Sequence, residues 1–172
     1  NQIIFAVRLR FIFNKLDEND FDVIIYSSPT PFAIVSAVHI AKKFKSKLIF
    51  EIRDLWPMVI QEIGNLSRFH PLIIMLNWFE KYAYNNSDHI VSVKPGDLNY
   101  IANKYNIKHS KLSYIPNGYD LKNSFANNIP NNISSVFSND KFVVGYMGSL
   151  SAAYGIDQLV KAAEILKFNN SI

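Results

Sequence analysis

The side chains most capable of chemistry stand in short clusters directly behind apolar runs. "EIRDLWP", residues 51 to 57, places two carboxylates, a guanidinium, an indole and a proline after Leu48, Ile49 and Phe50. Charged groups where a buried strand ends are either surface decoration or part of a ligand site. "MGSLSAAYG", residues 147 to 155, sets Gly148 and Gly155 between an apolar run and an amphipathic one. Glycine lets a backbone approach a ligand, and the free N–H groups of a following helix suit a phosphate. The spacing matches neither G-x-G-x-x-G nor a Walker loop, so a phosphate cradle and a plain strand-to-helix turn both stay open. "IPNGYD" (115 to 120) is an Asn-Gly turn signal, structural when read alone, and "SPTPF" (28 to 32) is a rigid loop or a proline helix start.

Other chemistries find little support. His39 falls on an apolar helix face, His70 precedes a proline, His89 opens a strand and His109 lies in a polar loop. With no cysteine and no two histidines at ligand spacing, no metal site, disulfide or thiol nucleophile is expected. No nucleophile elbow supports Ser/His/Asp catalysis. The net charge of +4 and pI of about 9.2 favour anionic partners. The densest basic cluster, Lys42, Lys43, Lys45 and Lys47, falls where a helix ends and complements its dipole, so no nucleic-acid partner is expected. No stretch reaches the roughly 18 to 20 apolar residues of a membrane span. "IIFAVRLRFIF" is broken by Arg8 and Arg10 and has no small-residue cleavage site, which excludes a signal peptide.

A chain of 172 residues suffices for one sizeable core, or for one domain and the start of a second. A content of 49% hydrophobic and 19% charged residues excludes a disordered chain. The periodicity predicts helices over 2–16, 32–44, 71–87 and 95–105, and buried strands over 22–28, 46–52, 88–93 and 111–116. Strands that alternate with helices specify an α/β fold with a doubly wound parallel sheet, whose ligands bind beyond the carboxyl ends of the strands. Ser27, Ser28, Arg53, Asp54, Ser92, Lys94, Asn117 and Gly118 all fall at such ends. Residues 126–140 are Asn/Ser-rich and read as an inter-domain linker. A strand over 141–150 and a helix over 155–168 then form the first βα unit of a second domain. "PLIIMLNWF" (71 to 79) is apolar on nearly every side. It is either a helix buried between sheet and neighbour or, with Arg68 and Lys81, a surface dipping into a bilayer interface.

Taken in order, "SSPTPF", "EIRDLWP", "WFEKYAYNNSDHIVSV", "YIPNGYD" and "VVGYMGSLSAAYGIDQLVKAA" resemble bacterial family 4 glycosyltransferases of the subgroup that builds capsule, O-antigen and related surface polysaccharides. The resemblance implies a GT-B architecture of two Rossmann-like domains. Residues 1–125 would be the acceptor-side domain and 141–172 the start of the nucleotide-sugar domain. It implies transfer of a sugar, with retention, from a nucleotide-diphosphate sugar to a lipid-linked or other saccharide acceptor. No cofactor or metal is implied, and the location is cytoplasmic, at the inner face of the plasma membrane. By the same resemblance Asp54 orients or deprotonates the acceptor hydroxyl, and Arg53 pairs with a phosphate or carboxylate. Ser28, Glu51, Asn117 and Gly118 line the acceptor-side cleft, and Gly148, Ser149 and Gly155 bind the donor phosphates. Trp56 and Pro57 pack and redirect the chain, and Glu51 braces Arg53 or another cleft group.

Departures from the family pattern qualify this. Ser149 and Tyr154 stand where many relatives are basic or carry lysine, and Arg53 stands where many have histidine, although the "RDLWP" subgroup shares the arginine. The family's first strand and glycine-rich loop would precede Asn1, and its donor-gripping glutamates would follow Ile172. The chain thus reads as a piece of a longer enzyme, inactive alone. A nucleotide-sugar 2-epimerase of the same architecture and a non-catalytic sugar-lipid or partner-binding domain are the alternatives.

Overall fold

The computed structural model describes residues 1–13, 15, 21–120, 142–150 and 154–169, in two compact units, Asn1–Asn117 and Gly118–Ile172. The linker expected over 126–140 lies outside the described residues.

In the first unit four β-branched, apolar runs form strands: β1 (Val23–Ser27), β2 (Lys47–Ile52), β3 (His89–Ser92) and β4 (Leu112–Tyr114). They lie in chain order, all parallel, as the α/β Rossmann-like reading requires. Five helices flank them: α1 (Gln2–Phe13), α2 (Ile34–Phe44), α3 (Met58–Gly64), α4 (Pro71–Asn86) and α5 (Pro95–Tyr105). Parallel strands need long crossovers, which the helices supply.

Alternate strand residues fill the core. Leu48, Phe50 and Ile52 of β2 are buried, and the register sets Phe50 between Tyr26 and Ile90, with Leu112 beyond. Ile34, Val38 and Ala41 of α2, Ala83 and Tyr84 of α4, and Ile101 of α5 join the same cluster. The Tyr26 and Phe50 rings stack at 5.7 Å, and Tyr84 meets Phe50 at 5.8 Å. The outer strand β1 is less protected, with Val23 and Ile25 exposed.

Local signals explain most helix ends. Lys45 takes a left-handed conformation (φ 54°) after α2, and the Ser46 N–H returns to the Ala41 carbonyl at 2.9 Å. His70 caps α4 by accepting the Leu72 N–H on Nδ1 at 3.2 Å, ahead of Pro71. The lysine cluster serves the fold, since Lys43 donates to the Phe13 carbonyl and Lys47 pairs with Asp88 at 2.9 Å.

Three features differ from expectation. Helix α3, starting after Pro57 and ending at left-handed Asn65, falls where the sequence reads as loop, because seven residues are too few for a period to be read. Of the two readings of 71–79, burial on all sides fails. Ile73 and Leu76 face inward while Leu72, Ile74, Met75 and Trp78 are exposed. Helix α1 buries only Ala6, and its expected end near Leu16 lies outside the described residues.

In the second unit the predicted helix is present as α6 (Ile156–Leu166), entered through Gly155 at φ +62°, a conformation L side chains resist. Lys161 and Asp157 pair along it at 3.4 Å. Residues 142–150, expected within a strand, carry none. A strand exists only through hydrogen bonds to a neighbour, and the described residues of this unit offer no second strand.

Candidate active site

The site grows from the carboxyl ends of β1, β2 and β3. The register pairs Ser27 with Glu51, and the Ser27 hydroxyl donates to the Glu51 carboxylate. Glu51 thus braces Ser27, not Arg53. One residue on, Ser28 ties the two strand exits together. Its N–H donates to the Glu51 carbonyl at 2.9 Å, and its hydroxyl accepts the Arg53 N–H at 2.9 Å. The Arg53 backbone is therefore fixed while its side chain is exposed, and among the described residues no acid pairs with the guanidinium.

Asp54 is half-exposed and accepts a bond from Lys94 Nζ at 2.9 Å. Lys94 follows β3, where the Val93 N–H reaches the Ile52 carbonyl at 3.3 Å. The Lys94 N–H donates to Ser92 Oγ at 3.1 Å, and the Ser92 hydroxyl donates to Asp97 Oδ2 at 2.6 Å. Ser92 and Asp97 are both buried, so this turn is clamped from within. Leu55 and Pro57 anchor the segment in the core, and the Trp56–Pro57 peptide is cis.

Behind these groups lies a cavity of about 30 Å³ between the 28–31 loop, β2 and α4. Ser28, Asp54 and Trp56 share its lining with Phe50, Phe79 and Glu80. That volume holds a water-sized group.

Glu80 is the residue that sequence reasoning passed over. It is 8% exposed, accepts from the Tyr84 hydroxyl at 2.8 Å and from the Tyr105 hydroxyl, and lies 3.7 Å from Lys104 Nζ. Burial pushes its carboxyl above the usual range, against the tyrosine bonds that hold it down. Burial and the Glu80 charge in turn raise both tyrosine hydroxyls. The signal in the sequence was a glutamate one helical turn before Tyr84, on the same face as Ile73 and Leu76.

Asn117 lies three residues past β4 and is exposed, and Gly118 opens the second unit. Gly148, Ser149 and Gly155 also belong to that unit. A Cβ at residue 148 would stand 2.7 Å from the Tyr146 hydroxyl oxygen, and that hydroxyl donates to the Ser149 carbonyl at 3.0 Å. Among the described residues no three His, Cys, Asp or Glu side chains converge as metal ligands. His39 is lowered by burial and by Arg10 and Lys43, and His89 shares a 2.8 Å bond with Ser113. No described helix is long and apolar enough to cross a membrane.

The profile of Glycosyltransferase Family 4 matches residues 2–123, which span all four strands and the Ser28, Arg53 and Asp54 cluster. The chain belongs to this family. No curated protein matches it. Membership in Glycosyltransferase Family 4 carries a glycosyltransferase-like function, with a sugar donor and an acceptor as the groups to be bound.

Proposed function

We propose that the chain carries the acceptor side of a retaining glycosyltransferase that moves a sugar from a nucleotide-diphosphate sugar to a lipid-linked saccharide, in bacterial surface-polysaccharide synthesis. The observation that carries this reading is the meeting of Asp54 and Lys94 at adjacent strand ends, where open α/β sheets bind ligands, with Arg53 exposed next to Asp54 in the chain. In the transfer step the acceptor oxygen forms a bond to the anomeric carbon on the face from which the donor diphosphate departs, so the configuration is kept. The bond from that carbon to the donor diphosphate breaks, and its electron pair leaves with the nucleotide. The hydroxyl proton passes to the Asp54 carboxylate, while Arg53 meets phosphate charge. Gly148, Ser149 and Gly155 bind donor phosphates in the start of the nucleotide-sugar domain, and Asn117 and Gly118 complete the acceptor cleft.

Two apolar surfaces support a lipid-linked acceptor and a peripheral position on the cytoplasmic face of the membrane. Leu72, Ile74 and Trp78 are exposed on α4, and the Arg68 guanidinium lies 4.7 Å over the Phe69 ring beside them. An apolar groove lined by Val7, Phe11, Phe32 and Met75 shares Phe79 with the cavity behind Asp54.

The test is transfer by the full natural chain that contains these residues, from a panel of nucleotide-diphosphate sugars to a polyprenyl-diphosphate saccharide, with nucleotide binding measured in parallel. Product whose anomeric configuration matches the donor supports the reading. Absence of both transfer and nucleotide binding overturns it.

A further inference from the structure

The ion pair between Asp54 and Lys94 joins two hydrogen-bonded turns through two solvent-exposed heads. The Arg53–Asp54 turn is pinned by Ser28, and the Lys94 turn is pinned by Ser92 and buried Asp97. The heads themselves are open to solvent, with the Lys94 and Asp54 side chains 54% and 48% exposed. An ion pair so exposed contributes little in water, so a more highly charged anion can replace the carboxylate at small cost. Arg53, next to Asp54 in the chain, is exposed at the same strand end with no acid paired to its guanidinium among the described residues. Glu51, the other carboxylate of the cluster, is occupied by the Ser27 hydroxyl.

We propose that Lys94 is a positioning residue that holds the Asp54 carboxylate until a diphosphate group on the acceptor draws its ammonium away. Lys94 and Arg53 then hold the diphosphate, and the released Asp54 carboxylate is free to take the hydroxyl proton. This rests on the reading of Asp54 as the acceptor-side base. It adds that binding the acceptor's diphosphate is what makes the base available. An acceptor lacking the diphosphate leaves Asp54 tied, so the same ion pair selects the substrate.

The experiment follows the ¹³Cγ signal of Asp54 in the aspartate-labelled chain, assigned with Asp54→Asn. Farnesyl diphosphate serves as the probe for the acceptor and UDP as the probe for the donor. Farnesyl diphosphate is expected to move the Asp54 signal toward its position in Lys94→Met and to move it no further in that variant. Lys94→Met should bind the probe about tenfold more weakly, the order expected for losing one charge-assisted hydrogen bond, and Lys94→Arg should restore binding. Asp54→Asn should bind it roughly threefold more tightly, because the competing carboxylate is gone. A purely structural role for the pair predicts weaker binding in both variants. The proposal is overturned if the probe leaves the Asp54 signal in place or does not bind, or if Asp54→Asn binds more weakly. A UDP response equal to that of farnesyl diphosphate also overturns it, by assigning the diphosphate to the donor. Failure of the base reading shows separately, as unchanged transfer in Asp54→Asn, because the ion pair is judged on binding and the carboxyl signal alone.

Discussion

Replacing Tyr84 by phenylalanine removes one oxygen and interrogates the buried carboxylate of α4. The packing survives, since the ring is 1% exposed and keeps its contacts with Phe50 at 5.8 Å and Tyr105 at 4.9 Å. What disappears is the hydroxyl donated to Glu80 Oε1 at 2.8 Å. A hydrogen bond to a charged group is worth about 1.5–3 kcal/mol, so Tyr84→Phe should lose about 2 kcal/mol with Glu80 ionised and about 1 kcal/mol with it protonated. The sign with pH follows from burial, which raises Glu80 above its ordinary value of 4.5. Stability from that raised value is fully present below the unfolded value and is lost as pH rises through the folded one. The Tyr84 hydroxyl holds the folded value down, so deleting it raises Glu80 further, and the penalty of Tyr84→Phe grows with pH. Urea unfolding followed by tryptophan fluorescence reads this directly, because Trp56 and Trp78 both lie in the first unit. At neutral pH the midpoint should fall by about 1 M for an m-value of about 2 kcal/mol/M. On a Glu80→Gln background the loss should shrink by about 1 kcal/mol, the coupling of the pair. A penalty independent of pH, or equal on both backgrounds, would refute the reasoning.

Asp54→Asn should lower transfer at least about 100-fold, the size of a lost general base, and an unchanged rate removes Asp54 from the mechanism. Its melting temperature should barely move, because an exposed ion pair contributes at most about 1 kcal/mol. Ser92→Ala deletes a buried hydroxyl that serves both Asp97 and the Lys94 N–H, and thermal unfolding should report a loss of about 2 kcal/mol. A loss indistinguishable from zero would mean that Asp97 is satisfied without it. The Leu48 N–H, then Lys47, hold the Asp88 carboxyl below its ordinary value of 3.8. That stability is present above the unfolded value and lost as pH falls through the folded one, so Asp88→Asn should flatten the acid limb of the stability curve. Superimposable acid limbs would contradict this.

What the sequence made legible was whatever depends on neighbours along the chain. The strands were readable because β-branched runs such as "DVIIYSS" stop at turn residues, and the Arg53–Asp54 cluster was readable because polar groups follow an apolar run. The partner of Asp54 was not readable, because Lys94 lies 40 residues away and meets it only through the β2–β3 register. Glu80 likewise gains its environment from Tyr105, 25 residues on. Residues 142–150 show the opposite failure. Phe142, Val143 and Val144 have high β-propensity, yet propensity records fit to a sheet surface and does not by itself create one.

The exposed outer strand has a practical consequence for anyone handling the protein. Val23 and Ile25, the latter 67% exposed, lie in a short uncharged segment, "VIIYS", whose outer backbone has no strand beside it among the described residues. Such an edge is a template for another copy of itself, so losses on storage will track concentration more than temperature. A single charge at the edge, Ile25→Lys, should raise the concentration reached before light scattering begins and leave the urea midpoint in place. If scattering begins at the same concentration, some other surface governs how this chain behaves in the tube.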